Sequence, residues 1–127
     1  MAKQVIRPTT VHPVKAYSHA VRNGNILHIA GQVALDPQGN LVGRGDIAAQ
    51  AEQVYTNLKA VVVAAGGTLA NIAKITTYTT NLAYRPIIAD VRARYFPADP
   101  PASTFLVISS LADPGYLLEV EAVAVLD

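Results

Sequence analysis

Near the end of the chain, Leu118, Val120, Ala122, Ala124 and Leu126 alternate with Leu117, Glu119, Glu121, Val123 and Val125. A period of two sends each set to one face of a β-strand, so Tyr116 to Leu126 reads as a strand with one wholly apolar face and one carrying two carboxylates. A different period governs the middle of the chain. Ile47, Ala51, Val54, Leu58, Val61, Val62 and Ala65 recur every three or four residues, which predicts a helix capped by Asp46 and stopped by Gly66-Gly67. Lys74 to Thr80 and Thr104 to Ser109 are rich in β-branched and apolar residues and read as strands. Between them, Pro86 at a start and Pro97 beyond an end bracket a shorter helix carrying Ile87, Val91 and Tyr95. Upstream, Tyr17 to Arg22 and Ile26 to Ala30 flank Asn23-Gly24, a pair suited to a type I′ hairpin turn. Asp36-Pro37-Gln38-Gly39-Asn40 has the chemistry of a loop, and residues 1–15, with Pro8 and Pro13, read as an irregular arm.

The order strand, strand, helix, strand, helix, strand, strand predicts an α+β layer with both helices on one face of a sheet. That arrangement leaves the carboxylate-bearing face to be covered. Apolar residues make up 51% of 127 residues, too many for so small a monomer to hide, and a closed homo-oligomer is expected. The length fits one domain spanning residues 1–127.

Charge narrows the function classes. Ten Lys and Arg stand against nine Asp and Glu, with no basic run interleaved with aromatics, so nucleic-acid binding is disfavoured. Without cysteine there is no disulfide framework, thiolate nucleophile or Cys-ligated zinc. The first residues lack the apolar run of a signal peptide, and Leu58 to Ala65 is too short to cross a bilayer, so a cytoplasmic protein without membrane contact is expected. No cofactor is implied. His19 and His28 fall at matching parity on the paired strands, yet spacing places no third ligand for a metal, and His12 lies in the arm. Gly66-Gly67 ends a helix instead of opening one, unlike a phosphate loop.

Tyr17-Ser18-His19-Ala20-Val21, Gly31-Gln32, Asp36, Gly39 and Glu119-Val120-Glu121-Ala122 form an ordered set that resembles the Rid family, also called YjgF or L-PSP. Its best-known members hydrolyse reactive enamines and imines. The resemblance covers nearly the whole chain from Tyr17 to Val125. It implies the chorismate-mutase-like fold of the bacillus type, a barrel-forming homotrimer, and clefts between neighbouring subunits that take a small molecule.

In deaminating members an arginine pairs with the substrate carboxylate, a tyrosine and a serine line the pocket, and a glutamate manages water. By motif the tyrosine falls on Tyr17 and the glutamate on Glu119. The serine position before Gly31 is Ala30, and the segment resembling Pro-Ala-Arg-Ser reads Pro101-Ala102-Ser103-Thr104, so Ser103, within one residue, stands where the guanidinium would be. A hydroxyl replaces neither the charge nor the bidentate geometry of that group. Arg85 could deliver a guanidinium from across an interface, or stand as a solvated residue at a helix start.

Glu119, on a strand with an apolar reverse face, is suited by partial desolvation to exchange a proton with water or a leaving amine, or else to an intersubunit salt bridge. Glu121 reads as structural. Tyr17 reads as lining the cleft, Gly31 as permitting close backbone approach, and Gln32 as bonding across the turn. Ser103 and Thr104 lack the elbow motif and the His-Asp partners of a serine nucleophile. Three functions follow: a trimeric hydrolase of imines, enamines or related C–N compounds with altered specificity, a non-catalytic trimer that binds a small metabolite, and a ribonuclease, the last opposed by the charge.

Overall fold

The computed structural model describes residues 2–127. Six strands form one sheet in the order β1-β2-β3-β6-β4-β5: β1 (Gln4–Ile6), β2 (Ala20–Asn23), β3 (Ile26–Gln32), β4 (Ile72–Thr79), β5 (Ala102–Val107) and β6 (Leu118–Val125). All pairings are antiparallel except β4 with β5, which run parallel through the crossover that carries α2 (Arg85–Tyr95). The longer helix, α1 (Ile47–Ala64), packs on β3 and β6, and α2 packs on α1.

The alternation in β6 orders the core. Leu118, Val120, Ala122 and Ala124 are buried under α1 with Val54, Tyr55, Leu58, Val61 and Val62, and Ile75, Ile88 and Val91 extend the same cluster toward α2. At roughly 2 kcal/mol for each large apolar side chain sealed from water, this cluster is what holds the helices to the sheet. The Asp46 carboxylate accepts the Ala49 amide at 3.1 Å, and beyond Ala65 the left-handed backbone is taken by Gly66, at φ 90°. Both ends of α1 are therefore set by the residues expected.

Several elements differ from expectation. The arm contains a short strand, because Gln4, Val5 and Ile6 find Arg22, Val21 and Ala20 as partners. The hairpin loop is Gly24-Asn25, with the positive φ on Gly24 at 59°, as in a type II′ turn, in place of Asn23-Gly24. Strand β2 starts at Ala20, not Tyr17, and β5 ends at Val107. Short 3-10 turns at Leu69–Asn71 and Leu82–Tyr84 precede β4 and α2, where capping asparagines close local hydrogen bonds.

One face of the sheet carries no helix. It presents Glu119, Glu121 and Val123 of β6 with Lys74, Thr76 and Tyr78 of β4 and His28 of β3, partly or fully exposed. Exposed Ile26, Leu106 and Val125 add to it, so a mixed apolar and charged surface lies open in the isolated chain.

Candidate functional site

Glu119 lies on the open face, opposite Tyr78 of β4. The β3 strand beside it is irregular: Ile29 pairs Ala122 and Gln32 pairs Val120, so Ala30 and Gly31 together stand against Glu121 alone. Such an extra residue re-aims the strand locally. At Gly31 the missing side chain is what admits the carboxylate, since a Cβ there would meet Glu119 Cδ at 2.5 Å and Oε2 at 2.8 Å. The close approach expected of Gly31 is thus made to Glu119 itself.

The surroundings of Glu119 are oxygen-rich and negative. Burial pushes its carboxyl above the usual carboxylate range, and the Glu121 carboxylate two residues on pushes it further. Glu121 accepts a hydrogen bond from the Tyr78 hydroxyl. Tyr17 is raised by burial and by the charge of Glu119, and Tyr116 by burial, Asp113, Tyr17 and Glu119. Three tyrosines therefore gather around one carboxyl with a raised proton affinity.

Two devices hold that cluster. His19 donates from Nε2 to the His12 carbonyl at 2.7 Å, which leaves Nδ1 to accept from Gln32 Nε2 at 3.1 Å. The His12 ring packs edge-on against His19 at 4.8 Å, and the Tyr17 ring lies 6.4 Å from His19. This buried assembly fixes the arm and with it Tyr17, over a cavity of about 790 Å³ lined by arm residues. Of the two histidines at matching parity, His28 pairs Val21 and is exposed, while His19 turns to His12. On the other side, Gln50 of α1 donates to the carbonyls of Gly43 and Gly115 at 3.1 and 2.9 Å and accepts from the Leu117 amide at 2.9 Å. That pins the loop bearing Tyr116.

The β5 residues separate by parity. Thr104 faces the open side, opposite Thr76, and accepts a hydrogen bond from the Lys74 ammonium. Ser103 points to the helix side. There it lines a groove of about 420 Å³ with Arg85, Arg92, Phe105, Leu82 and Val107 among its walls. The Arg85 guanidinium lies over the Phe105 ring, 5.4 Å from its centroid. The candidate residues thus form two groups. Glu119, Gly31, Ala30, Tyr17 and Thr104 belong to the open face and its margin, whereas Ser103 and Arg85 share a groove on the opposite side.

Tyr78, Tyr116, Lys74 and Arg92 were not singled out by the sequence. Parity within β4 offered a signal for Tyr78, because it alternates with the buried Thr77 and Thr79. Its placement against Glu119 comes from the β4–β6 pairing, which the sequence did not reveal. Among the described residues no group of three or more His, Asp or Glu is placed to hold a metal. No helix among them is long and apolar enough to cross a membrane.

Comparison with known proteins agrees with this architecture. Residues 8–126 match the family described as endoribonuclease L-PSP. A RutC family protein of Pyrococcus horikoshii is 35% identical over 124 residues, covering 98% of each chain. A 2-iminobutanoate/2-iminopropanoate deaminase of Dermatophagoides farinae is 30% identical over 120 residues, covering 94% of this chain and 93% of that one. Among solved structures, a protein of unknown function of the conserved Rid family, YyfA of Yersinia pestis, superposes with a TM-score of 0.93 at 34% identity, covering 98% of this chain and 100% of the other.

Proposed function

The chain belongs to the endoribonuclease L-PSP family, also called Rid or YjgF, and from that premise we propose that it hydrolyses small imines, enamines or related C–N compounds in a cleft between subunits of a homotrimer in the cytoplasm. The observation that carries this reading is Glu119: a half-buried carboxyl of raised proton affinity, seated on Gly31 and ringed by Tyr17, Tyr78 and Tyr116. The deaminase name of one relative supports the class of reaction.

In this mechanism the Glu119 carboxylate takes a proton from a water molecule as the water oxygen bonds to the imine carbon, the C=N electron pair moves to nitrogen, and Glu119 passes that proton to the nitrogen to give the neutral carbinolamine. The resulting carbinolamine collapses to a C=O group. In that collapse Glu119 takes the hydroxyl proton and delivers it to the nitrogen, the O–H electron pair forms C=O as the C–N bond breaks, and ammonia leaves with Glu119 again ionised. One water is consumed for each ammonia released. A carboxyl whose proton affinity is raised by burial and by Glu121 suits both transfers. Tyr17 and Tyr116 would orient the substrate, and Ala30 leaves the wall apolar where a hydroxyl would stand in the archetypal pattern.

The groove at Ser103 and Arg85 lies on the opposite side of the sheet from Glu119, so a single chain cannot present both to one small molecule. A cleft that uses both takes Glu119 from one protomer and the groove from its neighbour. This geometry supports a site shared between subunits, with the open face covered by another copy. A second reading is favoured by Ala30 and Ser103, which replace two polar groups of the archetypal site: a trimer that binds a small metabolite without turnover.

Ammonia release from freshly generated imines, measured for wild type and Glu119→Gln, separates the two. The hydrolase reading expects release that Glu119→Gln lowers by about 10²-fold or more while the oligomer stays intact. No release from any imine, with ligand binding retained, favours the binding protein.

A further inference from the structure

The groove beside β5 holds two arginines without carboxylate partners. Arg85 and Arg92 are seven residues apart, two turns of α2, which puts them on one side of the helix about 10 Å apart along its axis. Both line the groove of about 420 Å³ with Ser103 and Phe105, and no Asp or Glu among the described residues is part of its wall. The third arginine of α2 shows the contrast: Arg94 is already paired with Glu52, whereas Arg85 and Arg92 make no ion pair among the described residues.

The posture of Arg85 also matters. Its guanidinium carbon lies over the Phe105 ring, 5.4 Å from the centroid. A guanidinium held over a ring by its charge spends no N–H group on a carboxylate, and its N–H groups form the fork that meets one bidentately. The ring thus limits the rotamers of Arg85 without consuming its donors. The Ser103 hydroxyl, within one residue of the β5 position where the archetypal pattern has its guanidinium, adds a neutral donor in the same groove.

We infer that Arg85 and Arg92 together form an acid-binding site that favours small dicarboxylates over monocarboxylates. One carboxylate is held by Arg85 on Phe105 with Ser103 nearby, and the second is reached by Arg92. The cation has moved from the strand to the helix that faces it, and a second has been added. The inference rests on the reading above in one respect, that this groove is the half of the cleft that holds the substrate; the substrates are then imines of acidic compounds with a second carboxylate. The negative cluster at Glu119 and Glu121 repels anions from the reacting end, which orients such a ligand with its carboxylates in the groove.

Calorimetric titration of the intact protein with 2-oxobutanoate and 2-oxoglutarate, a monoacid and a diacid of product type, tests this. The diacid is expected to bind at least about tenfold more tightly. Arg85→Gln should weaken both acids by about tenfold or more, and Arg92→Gln should weaken the diacid while sparing the monoacid. Arg85→Lys keeps the charge and should still lose most of the affinity, since an ammonium cannot supply the planar fork. Equal binding by wild type and both Gln variants, or no binding of either acid, overturns the inference. Ammonia release separates this from the hydrolase reading. Arginine-dependent binding without turnover of any imine leaves the acid site standing and removes the hydrolase, whereas turnover indifferent to both arginines does the reverse.

Discussion

Gly31→Ala isolates the contact on which the Glu119 site depends. The φ of Gly31 lies outside the left-handed region, so the backbone accepts alanine and the perturbation is steric alone. The new Cβ would lie 2.5 Å from Glu119 Cδ, 2.8 Å from Cγ and 2.8 Å from Oε2, where ordinary contact begins at 3.4 Å. The carboxylate must therefore retreat by close to an ångström. A displacement of that size at a reacting group costs about 10²-fold in rate. Because the atoms that give way are the end of a flexible side chain, the stability cost should stay near 1 kcal/mol. Turnover and denaturant melts of Gly31→Ala, Glu119→Ala and the double variant complete the test. Once Glu119 is truncated the methyl group has nothing to strike, so Gly31→Ala should cost nothing in that background and the two changes should be strongly non-additive. Wild-type turnover in Gly31→Ala, or an equal stability cost in both backgrounds, would mean that the Gly31–Glu119 contact does not set the position of the carboxylate.

Three further outcomes are expected. The Glu119 pKa is raised in the folded state, first by burial and then by Glu121, so its contribution to stability is fully present below the unfolded value of 4.5 and is lost as pH rises through the folded pKa. Melts across pH 4 to 8 should therefore show wild type losing ground to Glu119→Gln as pH rises above about 4.5, and parallel profiles would contradict this. Gln50→Leu strips partners from the Gly43 and Gly115 carbonyls and the Leu117 amide, and should cost about 3 kcal/mol in a denaturant melt while lowering turnover through the loosened Tyr116 loop. Asp46→Ala removes the cap on Ala49 and should cost about 1 kcal/mol without changing turnover per folded molecule.

What the sequence made legible follows the reach of local chemistry. Helix α1 was readable from its apolar stripe, its Asp46 cap and its glycine stop, and β6 from strict alternation. Strand β1 was missed because three residues beside prolines carry no periodic signal, and only the pairing with β2 makes them a strand. The hairpin loop slipped by one residue because Asn23-Gly24 and Gly24-Asn25 both offer turn chemistry, and the ladder from Asn23 to Ile26 decides between them.

The site shows the same division. Motif and parity make Glu119, Gly31 and Tyr17 candidates, but the close packing at Gly31 is a contact between residues 88 positions apart, which one sequence does not display. Uncertainty of one residue at Ser103 and Thr104 mattered most, since neighbours on a strand point to opposite faces. The pairing of β4 with β5 sends Thr104 toward Lys74 and Ser103 toward Arg85. Arg85, left open between solvent and site, lies on Phe105 in a groove.

In the trimer proposed above, the working cleft joins Glu119 of one protomer to the Arg85 groove of another. Below saturation, Glu119→Gln should be nearly inactive on imines of dicarboxylic acids and Arg85→Gln should fall to about a tenth of wild type or less. Co-expressing them in equal amounts and assaying ammonia release from the purified mixed oligomer tests the claim directly. Random assembly leaves about a quarter of shared clefts with both native residues, so activity should return to about a quarter of wild type. Mixed oligomers as inactive as either parent would contradict the claim.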